Sequence, residues 1–339
     1  MGRFAFVFPG QGSQSVGMGR VIAAASPAAA RVFQEADAVL GEPLSDLAWE
    51  GPADELDLTV NAQPAILATS IAILAALGER WTAIGTVVEP AFAAGHSMGQ
   101  YSALVAAGSL SLADGLRLVR ERGVQMQASG AARAGAMAAI LGLDEVRLQE
   151  LVDRASETGP FGIANRNAPG QVVVSGDRAA VEASLSIARE LGARKTVLLP
   201  VSVAAHSPLM ADAAGAMRPI IARVEFADPH PPLIANVDGH VIRDAAGART
   251  ELIEHLTTGV DWVAAVRAMA AAGVDTFVEI GPGRVLTGLN KRVVPDARHI
   301  ATAPSVGGAL VDPLTEPAGA GPVSEPVPEA VSEASSPPS

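Results

Sequence analysis

Apolar residues recur at helical spacing over 65–77, 116–124, 179–191 and 263–272. Positions three and four apart share one face of a helix, so these stretches predict helices with one side turned to a core. Shorter apolar runs at 4–8, 90–94, 170–175, 196–201, 233–237 and 276–280 have strand length and lie between them. Short apolar strands alternating with longer helices predict an α/β fold around a mostly parallel sheet. The first run, Phe4-Ala5-Phe6-Val7-Phe8, ends at Pro9-Gly10. It is too short for a signal-peptide core or a membrane span and reads as a buried first strand. Between 128 and 200 the pattern is strand 136–141, helix 144–154, strand 161–166, strand 171–175, helix 177–191 and strand 195–199. That order is compatible with a compact split βαβ unit, although order alone does not make it a separate domain.

From Ile300 onward Pro, Ser, Ala and Glu dominate, Lys and Arg vanish, and periodicity is lost. Residues 303–339 therefore read as a disordered tail. The remaining length suits one large domain, alone or with a smaller companion. With 49% apolar and 18% charged residues over 339 positions, the chain is neither collagen-like nor wholly disordered. Lys plus Arg number 24 against 36 Asp plus Glu, a formal charge of -12, which argues against wrapping a nucleic-acid backbone. Without cysteine there is no disulfide, thiolate nucleophile or cysteine-bound metal, and the 6 histidines are too scattered for a zinc site. A cytoplasmic setting fits this composition.

Gly95-His96-Ser97-Met98-Gly99 follows the apolar run ending at Ala94 and precedes a helical pattern. Strand, sharp turn and helix form the context in which a G-x-S-x-G serine stands exposed on a strained turn. The glycines remove Cβ atoms where strand and helix approach closely, and the helix start aims free N–H groups beside Ser97. The alternative is a plain Gly/Ser turn capping a helix. A serine nucleophile needs a base, and His206, after the strand-like run 196–201 and before Pro208, is the best candidate. Taken alone, it is equally an ordinary loop histidine. The glycine-rich turn Pro9-Gly10-Gln11-Gly12 would reach the same sheet edge and offer the Gln11 N–H as an oxyanion donor.

Together with Gln63-Pro64-Ala65, Arg122-Gly123, 165–171 (NRNAPGQ), His206-Ser207-Pro208-Leu209-Met210 and 279–283 (EIGPG), these motifs span residues 4 to about 300 in order. The chain thereby resembles the malonyl-CoA:acyl-carrier-protein transacylases of fatty acid and polyketide synthesis. The resemblance implies a large α/β-hydrolase-like domain, 1–127 with 201–302, and an inserted ferredoxin-like small domain, 128–200. It implies acylation of Ser97, base catalysis by His206, an oxyanion hole from the backbone of Gln11 and Met98, and a carboxylate clamp at Arg122. Gln63, Asn167, Ala205 and His255 fall at its substrate pocket or behind the catalytic pair. Malonyl-CoA and an acyl carrier protein are the implied substrate and partner, with no bound cofactor or metal, no nucleic acid, no membrane and a monomeric state. Arg117, Arg120, Arg194, Lys195, Lys291 and Arg292 are candidates for a basic docking rim.

Three positions depart from the family's pattern. Gln100 stands where Glu is common, which removes a negative charge near the helix start. Ala205 stands where a bulky Phe often accompanies strict malonyl use, which leaves room for methylmalonyl. His255 replaces a Gln whose backbone carbonyl orients the catalytic histidine, a role indifferent to the side chain. A serine hydrolase of acyl thioesters is the competing reading, since the same serine and histidine serve both.

Overall fold

The structure is a computed structural model that describes residues 2–201, 203–303 and 305–315. Its first sheet is 6-stranded and contains β1 (Phe4–Phe8), β2 (Phe92–Gly95), β7 (Leu233–Ile234), β8 (Val241–Ile242), β10 (Thr276–Pro282) and β11 (Arg298–Ala303). The strand order is β11-β10-β1-β2-β7-β8. Every neighbouring pair is parallel except the short β7–β8 hairpin at one edge.

Both faces of this sheet are covered, which is why β1 is apolar at every position rather than alternating. Phe6 and Phe8 point into one core with Ile66, Ile73 and Trp81. Ala5 and Val7 point into the other, with Trp262, Val266 and Met269. The helix Thr59–Ala83 lies at the centre of the larger core. Its mean hydropathy of 1.7 and length of 25 residues would suffice to cross a membrane, but 72% of that window is buried inside the protein. It is the core helix of an α/β layer.

The second sheet is 5-stranded, in the order β6-β3-β5-β4-β9. It contains β3 (Gly135–Leu141), β4 (Phe161–Ala168), β5 (Gln171–Asp177), β6 (Lys195–Leu198) and β9 (Val260–Asp261). The helices Glu145–Ser156 and Arg178–Glu190 follow β3 and β5 and share a core with that sheet. Strand, helix, two strands, helix and strand, with the last strand beside the first, is the ferredoxin-like arrangement inserted into an α/β-hydrolase-like sheet. β9, from the far side of the insertion, pairs parallel with β4 and ties the two layers together.

Three sequence expectations shift. The expected domain break at 128 falls inside the helix Leu112–Ala132, and the second sheet begins at Gly135. The predicted strands 196–201 and 233–237 shrink to Lys195–Leu198 and Leu233–Ile234, and beyond them the chain turns out of each sheet and carries His206 and Asn236 to Ser97. The expected tail does not begin at 303. Leu310, Val311 and Leu314 pack on the main core, Val311 N–H donates to Thr302 O at 2.8 Å, and Trp81 Nε1 donates to Asp312 at 3.0 Å. Composition concealed three apolar anchors among Pro and Gly. The rest of the predicted tail, 316–339, lies outside the described residues.

Candidate active site

Ser97 sits on the turn between β2 and the helix Gly99–Ala106 with φ of 51°. That left-handed conformation costs a non-glycine residue on the order of 1–2 kcal/mol. The flanking glycines are required by space. A Cβ on Gly95 would meet the carbonyl carbon of Gly99 at 1.9 Å, and one on Gly99 would meet Phe8 O at 2.2 Å. Gly10 abuts the same turn, since a Cβ there would lie 2.6 Å from His96 O. The turn after β1 is therefore held beside the serine, as predicted, and it carries Gln11.

His206, 109 residues away, places Nε2 at 2.8 Å from Ser97 Oγ. Its φ of 58° is also left-handed. Nδ1 lies 3.0 Å from His255 O and 2.9 Å from Thr258 O. Two carbonyl acceptors require a proton on Nδ1, which leaves the Nε2 lone pair to accept from the serine hydroxyl. The His255 carbonyl thus stands where the resemblance placed it. The imidazole of His255, 2% exposed, has no partner at either nitrogen among the described residues.

Arg122 is 1% exposed. Its Nη1 donates to Gln63 Oε1 at 2.7 Å, its Nη2 donates to Ser97 Oγ at 3.3 Å, and its guanidinium lies 5.9 Å from the centre of the Tyr101 ring. Gly123 explains this proximity. A Cβ there would meet Val60 Cα at 2.6 Å, so the helices Leu112–Ala132 and Thr59–Ala83 touch backbone to backbone and bring Arg122 alongside Gln63. No carboxylate among the described residues pairs with this guanidinium.

A family model described as an acyl transferase domain matches residues 5–312. The chain belongs to that family. It is 45% identical over 304 residues to the malonyl CoA-acyl carrier protein transacylase of Bacillus subtilis (strain 168), covering 89% of this chain and 94% of the relative. The Escherichia coli (strain K12) protein of the same name is 43% identical over 294 residues, 87% of this chain and 94% of that one. Among solved structures, the acyl-carrier-protein-S-malonyltransferase of Bartonella henselae superposes with a TM-score of 0.84 at 45% identity, covering 88% of this chain and 95% of that one. A type II PKS acyl-carrier protein in complex with its malonyl-transacylase superposes with a TM-score of 0.82 at 39% identity, covering 89% and 95%.

In this member of the family, burial dominates the electrostatics. Desolvation, and then the charge of Arg122, push His206 down to about 3. His255 is driven well below its ordinary value by the same causes, and burial lowers His96. Tyr101 is pushed up to about 12 by burial, against the opposing pull of Arg122. At neutral pH the site therefore holds one buried cation among neutral rings.

The other expected residues take distinct places. Met98 is buried and precedes the first turn of its helix, and neither its N–H nor that of Gln11 has a protein acceptor among the described residues. Ala205 packs against Met137, Ala164 and Val173 on the second sheet. Asn167 lies within β4, not in the turn that follows, and bonds His96 Nε2 at 2.8 Å. Arg117 and Arg120 are drawn toward Asp114 and Glu42, so both are partly neutralised as rim charges. Sequence reasoning missed Asn236, whose Oδ1 accepts from Ser97 N–H at 2.9 Å while Nδ2 donates to Gly95 O at 2.9 Å. It also missed the Thr258 carbonyl and Thr59, whose hydroxyl donates to Gln11 Oε1 at 2.8 Å and accepts from Gln63 Nε2 at 2.9 Å. None of the three sits in a motif. The predicted strand 233–237 runs through Asn236 and gives no sign of its place.

Proposed function

We propose that the protein transfers a malonyl group from malonyl-CoA to the phosphopantetheine thiol of an acyl carrier protein through a malonyl ester on Ser97. The observation that carries this reading is the buried, unpaired guanidinium of Arg122 touching the nucleophile. A buried cation without a counterion is costly, and a substrate carboxylate meets it with two parallel charge-assisted hydrogen bonds. The names of the relatives, and the carrier-protein complex of one of them, support the same reading.

Malonyl-CoA enters with its free carboxylate on Arg122, which draws Nη2 away from Ser97 Oγ. Ser97 Oγ attacks the thioester carbon while His206 Nε2 takes its proton. The oxyanion is met by the N–H groups of Met98 and Gln11, because the N–H of Ser97 itself is already bonded to Asn236. As the carbonyl re-forms, the C–S bond breaks and His206 returns the proton to the coenzyme A sulfur. The carrier thiol then attacks the ester, its proton goes to His206, and the serine oxygen leaves with that proton. No metal or bound cofactor takes part. We place the protein in the cytoplasm as a monomer, without nucleic-acid or membrane partners. The small side chain of Ala205 favours some acceptance of methylmalonyl.

Brief incubation with malonyl-CoA adds one malonyl group to the peptide containing Ser97, and Ser97→Ala abolishes it. Peptide mass spectra that place the adduct elsewhere, or find none, overturn the assignment. Release of free malonate in preference to transfer, when a carrier protein is present, makes the protein a hydrolase.

A further inference from the structure

The substitution of Gln for Glu at position 100 does not leave the helix start without a carboxylate. Glu251, near the end of the helix Ala245–Glu254, brings Oε1 to 2.7 Å from the Asn236 backbone N–H and to 3.3 Å from Gln100 Nε2. Gln100 is fully buried. Its Oε1 accepts from Gly95 N–H at 2.8 Å, and its Nε2 also donates to Ile234 O at 3.0 Å. Asn236 in turn holds Gly95 O and Ser97 N–H. Both polar groups of the Gly95 backbone and the N–H of the nucleophile are therefore gripped by two side chains, and one carboxylate oxygen ties the Gln100 side chain to the backbone of Asn236.

We propose that Glu251 is a positioning residue that locks the nucleophile turn, and that Gln100 and Glu251 form a matched pair. The proposal rests on Ser97 being the acylated residue. The donor inventory enforces the match: Gly95 N–H needs an acceptor at residue 100, while Ile234 O and Glu251 each need a donor from it, and an amide supplies one acceptor and two donors where a carboxylate supplies no donor and a protonated carboxyl only one. A carboxylate at position 100 would turn one oxygen against Ile234 O and Glu251 Oε1. The lock matters because Ser97 is held at φ 51°, a conformation that persists only where its surroundings over-determine it. Holding the turn also leaves Met98 N–H as the donor beside the reacting carbonyl. The charged and titratable groups near Glu251 are Asp238, which opposes its ionisation, and His240, which favours it, and burial raises its pKa above the ordinary carboxyl value.

The test measures malonyl-Ser97 formation and, separately, hydrogen exchange in the segment 93–101 by mass spectrometry, for Gln100→Glu, Glu251→Gln and the double variant. A misplaced nucleophile lowers the acylation rate with little change in KM, by about 20-fold or more for Gln100→Glu at pH 8. At pH 5 the loss shrinks, because two facing carboxyls then share a proton. The double variant recovers part of the loss, at least about threefold, since the amide introduced at 251 donates where a carboxylate repelled. Glu251→Gln alone costs less than Gln100→Glu and flattens the acid limb of the rate profile. Exchange in 93–101 follows the same ranking while circular dichroism stays unchanged. A Gln100→Glu enzyme as active as the parent, or a loss independent of pH that the double variant does not relieve, overturns the proposal. If the parent forms no acyl-Ser97 at all, the functional reading fails, and the exchange ranking still decides whether the pair locks the turn.

Discussion

At Arg122 a single charge serves two opposed purposes. In the free protein it donates to Ser97 Oγ and, after burial, is the largest cause holding His206 at about 3. The first contact stabilises a serine alkoxide and the second makes His206 a poorer base, so the charge helps one partner of the proton transfer and hinders the other. Under the function proposed above, a malonyl carboxylate engages that guanidinium and an acetyl group does not, so Arg122 is expected to discriminate between the two acyl groups. Arg122→Ala is expected to lower kcat/KM for malonyl transfer by about 100-fold or more, the scale of losing a buried charge partner, while acetyl transfer holds or rises. Parallel assays with malonyl-CoA and acetyl-CoA decide it, and equal losses for the two refute the role. His255 teaches a related lesson. Its backbone oxygen is engaged while its ring is idle, so the change from Gln at this position leaves the orienting bond intact.

The helix Thr59–Ala83 works as a ruler between the two halves of the site. Thr59 and Gln63 are four residues apart and share a face. Through them a chain of hydrogen bonds runs from Gln11, on the turn after β1, to Arg122, beside Ser97. Thr59→Val keeps the branched shape and deletes the hydroxyl. Losing one link of this partly exposed chain costs about 0.5–1.5 kcal/mol, so malonyl-transfer kcat/KM is expected to fall by about two- to tenfold with the fold retained. An unchanged kcat/KM makes the chain incidental. β4 plays a similar part from the other sheet, where Asn167 fastens His96, the residue before the nucleophile.

Across the whole molecule, two features give testable contributions to stability. The first is the segment 305–315, which closes over the core through Leu310, Val311, Leu314 and the Trp81–Asp312 bond. A chain ended after Ala303 is expected to be less stable than one ended after Thr315 by roughly 2–4 kcal/mol of lost apolar burial and hydrogen bonding. Thermal unfolding of the two truncations checks this, and identical Tm values reject it. The second is the set of buried histidines. His96, His206, His255 and His299 all lie below their ordinary 6.5 in the folded protein. As pH falls below 6.5 the unfolded chain takes protons that the folded one refuses, so stability is lost on acidification. Glu251 and Glu279 are raised above 4.5. Their contribution has the opposite sign, being complete below 4.5 and lost as pH rises through their folded values. The two effects partly cancel just above 4.5, and the histidines act alone beneath it. Tm is therefore expected to fall between pH 6.5 and 3, most steeply below 4.5, and a flat Tm over that range rejects the account.

Local chemistry was legible in the chain wherever it depends on neighbours in sequence. The apolar period of 4–8, the crowding that demands glycine at 95 and 99, and the strand-turn-helix around Ser97 follow from steric and burial rules acting over a few residues. The serine and the α/β class were accordingly legible in the sequence itself, whereas Arg122 and the pairing of His206 with Ser97 came from the family resemblance. What needed the folded molecule were contacts between residues far apart in the chain. Asn236 reaches Ser97 across 139 positions and Glu251 reaches Gln100 across 151, and neither carries a local signature. The early end of the strand at 233–234 and the anchored segment 305–315 escaped for the same reason. Backbone that leaves a sheet early, or apolar side chains set among Pro and Gly, gain their places only from the surface they meet.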